Sequence, residues 1–290
     1  MRNFIQTRSR KRLSSYYLFG KFYGERVNMQ KTVLVTGACI NTGVAIVEKF
    51  ASEKWNVVFT GRDAEKVSAA EKAYRIKFPD VKIRGYVLGS LQKDGSVDEN
   101  GIRELFNEMD RAGIFADCLV LNASDQGLGQ EIFVTPLSDF ARVIYTNVIW
   151  DYALSEAAAL RMKNRGGGSI VFVNSNTAYR AIPNRIAYSA SKGGQLGMMR
   201  ALAFDLGKYN IRVNAVLPGM IRTDRWEKDP EWYKNVPSAF TPLGDVADGA
   251  DIADGVWYFA AHARNTTGAE LVIDGGNTIQ LYPLIPEEKK

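Results

Sequence analysis

The chain predicts a doubly wound parallel α/β sheet, and three observations carry that prediction. A short apolar, β-branched run near residue 32 leads into a glycine-containing turn and then into an apolar stripe at helical spacing. Strand-like runs and amphipathic stretches then alternate along the rest of the chain. The 290 residues, 46% of them hydrophobic, suit one large α/β domain, with no internal repeat and no long linker.

Thr32-Val33-Leu34-Val35 reads as a buried strand. Thr36-Gly37-Ala38-Cys39-Ile40-Asn41-Thr42-Gly43 follows, after which Val44, Val47 and Ala51 recur on one helical face beside Ile46 and Phe50. Strand, glycine turn and helix aim free backbone N–H groups at a pyrophosphate. Further strands are predicted at Asn56–Thr60, Val81–Val87, Cys118–Leu121, Ser169–Val173, Ile211–Leu217 and Glu270–Ile273. Amphipathic stretches lie between them, such as Ile102–Ala112, Leu137–Met162 and Ala187–Leu206. This alternation means a parallel sheet with helices on both faces, and ligands in such sheets bind at the carboxyl ends of the strands.

Ser175 falls just past one such strand end, and Tyr188 and Lys192 stand four residues apart downstream. Four residues is about one helical turn, so phenol and ammonium project from the same face. A phenol, with a pKa of about 10, is a poor proton donor or acceptor at neutral pH. A cation one turn away is expected to lower it, and a serine hydroxyl can hold a carbonyl or alcohol oxygen against it. Taken alone, Tyr-x-x-x-Lys more often describes a solvated helix face.

Composition closes several alternatives. His262 is the single histidine and no cysteine pair has zinc spacing, so neither a histidine triad nor a metal centre is expected. Cys39 and Cys118 are too few for a disulfide framework, which points to a reducing, cytoplasmic setting. No stretch approaches the roughly 18 apolar residues of a membrane span. The net charge of +5 is misleading: residues 1–28 hold seven basic side chains against Glu25 alone, or +6, leaving −1 for the remainder. The domain itself therefore makes no case for nucleic acid. The basic tail reads as a transit peptide, as an arm for nucleic acid or membrane surface, or as sequence upstream of a natural start at Met29. The last is preferred. Residues 1–28 are accordingly expected to be a disordered extension before a catalytic domain at 29–290.

The motifs in their order resemble those of the short-chain dehydrogenases/reductases, over about Lys31 to Asn277. Thr36-Gly37 through Gly43 resembles the family's cofactor loop T-G-x-x-x-G-x-G, and Asn122-Ala123-Ser124 the end of N-N-A-G. Asn147, Ser175, Tyr188 and Lys192 match the family's catalytic asparagine, serine, tyrosine and lysine. Pro218-Gly219-Met220-Ile221-Arg222-Thr223 matches P-G-x-I-x-T, and Thr267-Gly268 with Asp274-Gly275-Gly276 matches the closing motif.

The resemblance implies a Rossmann-type single domain and hydride exchange between a nicotinamide and a carbonyl or alcohol carbon of a small molecule. Tyr188 would be the general acid or base, Ser175 would position the substrate oxygen, and Lys192 would hold the nicotinamide ribose and depress the tyrosine pKa. Asn147 would anchor a water linking Lys192 to solvent. Cofactor contacts are expected from Gly37, Ile40, Asn41, Thr42, Gly43, Asn122, Ala123, Tyr188, Lys192, Pro218, Gly219, Ile221 and Thr223. Asn41 replaces the family's middle glycine but tolerates positive φ. Leu121 and Ser124 depart from N-N-A-G, and Val87–Leu91 lacks the acid that often meets adenine.

Cofactor choice turns on Gly61-Arg62 after the second strand, where an NAD enzyme usually has an acid. A guanidinium there suits a 2′-phosphate, so NADP(H) is favoured, with NAD(H) left open by Ile40, where many NADP enzymes have a second base. Arg62 reads alternatively as the neighbour of a helix cap at Asp63. Trp226, Trp232, Tyr233 and Phe240, with Pro230 and Pro237, resemble a lid over the substrate. Asp125, Gln126, Asn176 and Arg185 are polar candidates to line the same site, so apolar and polyol substrates both stay open. The apolar stretch 277–286 is expected to dock on a neighbouring subunit, and a homotetramer follows from the resemblance. A nucleotide-sensing module is the other class of function, though such modules typically lose the tyrosine or lysine.

Overall fold

The structure, a computed structural model, describes residues 30–223, 226 and 239–283. Seven strands form one sheet: β1 Thr32–Val35, β2 Asn56–Gly61, β3 Ile83–Val87, β4 Cys118–Leu121, β5 Gly168–Val173, β6 Ile211–Pro218 and β7 Glu270–Ile273. Their spatial order is β3-β2-β1-β4-β5-β6-β7, with all pairs parallel. Val33 pairs with Val57 on one side and Cys118 on the other, so the chain's direction across the sheet reverses at β1 and β4. Ligands bind at such a reversal, beyond the carboxyl ends of the strands.

Both faces of the sheet are buried, and strand alternation divides the core in two. Val33, Val35, Val171 and Val173 point to one layer, beneath helices α1 (Asn41–Ser52), α2 (Ala64–Lys77) and α7 (Gly249–Trp257). Leu34, Ile170 and Phe172 point to the other, with α3 (Glu99–Arg111), α5 (Trp150–Asn164) and α6 (Ile186–Gly207). The run predicted as one helix, Leu137–Met162, is interrupted. Helix α4 (Leu137–Ile144) passes through a π turn, Tyr145–Ile149, into α5. A π turn inserts one residue into the helical ladder and often marks a functional site. This one carries Asn147.

Residues 1–28 lie outside the described residues, as do Pro230, Trp232, Tyr233, Pro237 and the end of the 277–286 stretch. No helix among the described residues is long and apolar enough to cross a membrane.

Candidate active site

The glycine loop is built around Thr36, at the end of β1. Its hydroxyl accepts from the backbone N–H groups of Asn122 (2.9 Å) and Ala123 (3.0 Å), stitching the carboxyl ends of β1 and β4 together. The Asn122 side chain returns the tie, donating to the Thr36 and Gly37 carbonyls at 3.0 and 3.1 Å. Gly37 has φ +65°, and a Cβ there would stand 2.9 Å from the Ala123 backbone. A Cβ on Gly43 would come within 2.4 Å of the Gly37 carbonyl, so helix α1 can pack on its own loop only with glycine at that position. Asn41 carries the positive φ expected of it, +49°.

Ile40 caps α1 without a side-chain hydrogen bond, and the first turn has no acid. The free N–H groups of that turn, Asn41, Thr42 and Gly43 among them, fit a pyrophosphate. Farther along the same edge, Gly219 approaches Asp274 so closely that a Cβ would lie 2.6 Å from its Cβ. Ile221 then bridges to Ala247, which fixes the Pro218–Thr223 segment beside the strand ends. These residues fit a dinucleotide: the α1 turn would hold its diphosphate, and Pro218–Thr223 with Lys192 would hold its nicotinamide end. When bound, the nicotinamide supplies or accepts the hydride.

The remaining predicted residues converge on the carboxyl ends of β4 and β5. Ser175 follows β5, with its N–H on the Asn174 side chain (2.7 Å) and its hydroxyl accepting from the Thr177 N–H (3.2 Å). Tyr188 is half-buried on α6, and Lys192 is buried one turn later, with its Nζ 5.6 Å from the phenol ring centroid. Asn147 is fully buried. Its amide bonds to both sides of the Asp125 peptide unit, accepting from the N–H and donating to the C=O at 2.8 Å each, and it also donates to the Ser191 hydroxyl at 2.9 Å.

The phenol departs from expectation. Tyr188 lies above its ordinary pKa, because burial outweighs the lowering by the Ser175 hydroxyl and by the Arg185 charge. Spacing alone suggested that Lys192 would lower it. Instead the ammonium donates to the Val173 carbonyl at 3.0 Å and is itself pushed below the usual lysine range by burial.

The outer residues divide. Arg185 donates to the Gln126 and Gly127 carbonyls and, with Tyr188, lines a cavity of about 300 Å³. Asn176 points elsewhere: it is buried and donates to Asn277 (2.8 Å) and Asp274 (3.4 Å), tying the turn after β5 to that after β7. The Trp226 indole donates to the Ile221 carbonyl at 3.2 Å, beneath the Arg222 guanidinium. Burial and then the nearby Asp63 push the Cys39 thiol up, which suits a packing residue better than a nucleophile. Arg62 is exposed, and Asp63 caps α2 as anticipated, accepting from the Lys66 N–H at 3.0 Å.

Sequence reasoning missed three buried polar side chains in this region: Asn174, Asp151 and Gln195. Gln195 lies three residues beyond Lys192, where its polarity is the one signal on an otherwise buried helix face.

The family model described as enoyl-(acyl carrier protein) reductase matches residues 37–278. The chain belongs to the short-chain dehydrogenase/reductase family. It is therefore an oxidoreductase acting on CH–OH or C=O groups. Among its relatives, a 3α-hydroxysteroid dehydrogenase of Mediterraneibacter gnavus is 34% identical over 84% of this chain and 96% of that protein. An NADP-dependent (R)-specific alcohol dehydrogenase of Lentilactobacillus kefiri is 33% identical over 86% of this chain and 97% of its own. Among solved structures, a 7α-hydroxysteroid dehydrogenase complexed with NADH and 7-oxo glycochenodeoxycholic acid superposes with a TM-score of 0.76 at 28% identity, covering 85% of this chain and 93% of that one.

Proposed function

We propose that this short-chain dehydrogenase/reductase uses NADP(H) to interconvert a ketone and a secondary alcohol, with Tyr188 exchanging the proton. Ser175 orients the substrate oxygen, and Lys192 stands beside the phenolate left when Tyr188 gives up its proton. The observation that carries the choice of nucleotide is the end of β2. Gly61 is roofed by Cys39, so that a Cβ on it would lie 2.5 Å from the thiol sulfur and 2.9 Å from a Val67 methyl. The acid of an NAD enzyme at this position would have to displace both. Arg62, next along, is exposed and has no ion-pair partner among the described residues. A guanidinium so placed is free to meet a 2′-phosphate. The alternative, an NAD-dependent enzyme, rests on Ile40, which puts an exposed apolar side chain where a second base would strengthen phosphate binding.

The cavity beside Tyr188 is walled by Ile132, Pro136, Leu137, Phe140 and Ile186, and its polar members are Gln126, Gln130, Thr135, Asp139, Asn184 and Arg185. The apolar members suit a compact ketone or alcohol with an apolar body. Steady-state kinetics on a panel of cyclic ketones, hydroxysteroids and aldoses, each with NADPH and NADH, test both halves. NADPH is expected to give the higher kcat/KM, and Arg62→Ala to lower it about 10- to 100-fold while leaving the NADH value nearly unchanged, the worth of one charge-assisted hydrogen bond pair. A wild-type preference for NADH would overturn the assignment.

Two further expectations belong to this reading. Tyr145, Ile149, Tyr152 and Leu160 on the α4–α5 run, and Phe204 on α6, expose large apolar surface, which supports a homotetramer built through these helices. Light scattering should give four subunits, and a stable monomer at micromolar concentration would refute it. The unpaired thiols of Cys39 and Cys118 support a cytoplasmic location.

A further inference from the structure

Behind Lys192 lies an acid that the reaction just described does not use. Asp151 sits on the first turn of α5, one helical turn past Asn147, and is fully buried. Its Oδ2 accepts from Gln195 Nε2 at 2.7 Å, and its Oδ1 has no hydrogen-bond partner. Gln195 also donates to the Asn147 carbonyl at 2.7 Å and accepts from the Asn174 amide at 3.0 Å. Asn174 in turn donates to the Lys192 carbonyl at 2.9 Å and accepts from the Ser175 N–H. One connected set of side chains therefore ties Asp151 to the π turn, to the turn that presents Ser175 and to the backbone of Lys192.

A carboxyl group without exposure is expensive unless something compensates for its charge or it keeps its proton. The elements packed on α5 do not supply that compensation. Strands β4, β5 and β6 and helix α3 contribute apolar side chains such as Leu121, Phe172, Leu217 and Phe106. The ion pair Arg161–Asp110 lies ten residues along the helix. Lys192, on α6, is the charged group that acts on Asp151, and Tyr188 is the titratable group beyond it.

We propose that Asp151 is a positioning residue for the reaction: through Gln195 it is held behind Lys192, and it keeps that lysine an ammonium during turnover. This rests on the reading of Tyr188 and Lys192 given above. Burial drives the two groups towards neutrality from opposite sides, the acid up and the lysine down, and each opposes the shift of the other. Such a pair titrates as a unit. Removing the acid leaves the lysine with burial alone, so it loses its proton at lower pH. The phenolate formed at Tyr188 then lacks its neighbouring cation.

The test is the pH profile of kcat for carbonyl reduction in the full-length enzyme, for wild type, Asp151→Asn and Gln195→Met. Asparagine keeps the shape and an acceptor for Gln195 and removes the charge. The alkaline limb is expected to move to lower pH by about one unit, the scale of one nearby charge. Gln195→Met removes the donor that favours the ionised acid, and is expected to move the limb the same way by less. A limb that stays in place or moves up in folded Asp151→Asn would overturn the proposal. Should that variant not fold, an unmoved limb in Gln195→Met does so. Tyr188→Phe separates this from the underlying reading: turnover that survives it removes the role of the tyrosine itself. Loss of turnover there, combined with an unmoved limb in Asp151→Asn, removes the inference alone.

Discussion

Replacing Tyr188 by phenylalanine is expected to lower kcat for carbonyl reduction by about 10²- to 10⁴-fold, the range in which a positioned general acid contributes. Cofactor affinity, read from the fluorescence of bound NADPH, should change little, because the ring remains and one hydroxyl is lost. The pH dependence follows from the direction of the phenol's shift. Burial raises Tyr188 above its ordinary pKa, so at neutral pH it is almost wholly protonated, the form that donates in reduction. Oxidation needs the phenolate, and its rate should climb close to tenfold per pH unit across the neutral range. Wild-type profiles in the two directions should therefore slope apart, with reduction flat through neutral pH. An oxidation rate that is level between neutral and mildly alkaline pH would show that the phenol titrates lower than its surroundings imply.

Much of the scaffold was legible because each strand is a compact β-branched run with a sharp end. Thr32–Val35, Cys118–Leu121 and Glu270–Ile273 begin and end where their apolar runs do. The third strand starts at Ile83 rather than Val81, because Val81 belongs to the turn leaving α2. The tyrosine, lysine, serine and asparagine of the site were legible by order and spacing, and the fold gathers them. What spacing cannot convey is burial. The one-turn separation of Tyr188 and Lys192 suggested that the cation would lower the phenol, yet burial is the larger effect on both. Asp151 was hidden for a related reason. An acid in the stretch Trp150-Asp151-Tyr152 looks like the wet side of an amphipathic helix, and the π turn just before it rotates the register so that this position faces inward. Asn174 gave no signal, and the polarity of Gln195 was a hint that its partner Asn174 alone makes readable.

The second large effect concerns Asn147, which the geometry casts first as a lock on the backbone. Asn147→Leu keeps roughly the volume but strands the Asp125 N–H and C=O and removes the donor to the Ser191 hydroxyl, which keeps its own bond to the Tyr188 carbonyl. Each stranded buried group costs about 1–3 kcal/mol, with partial relief by water on the loop side, so a loss of about 2–4 kcal/mol in unfolding free energy is expected from urea titration. The kinetic consequence runs along the same bonds. Asp125 opens the loop that carries Gln126 and Gly127 to the Arg185 guanidinium, and the Ser191 hydroxyl donates to the carbonyl of Tyr188 at 2.7 Å. Freeing both lets the cavity wall and the catalytic turn drift, and displacement of about 1 Å costs on the order of 10²-fold in rate. The variant should therefore be less stable and slower together, with kcat falling while the pH limb set by Lys192 stays in place, since Asp151 and Gln195 are untouched. A variant of wild-type stability would show that the loop after β4 is held by other contacts, and that Asn147 acts on the chemistry directly.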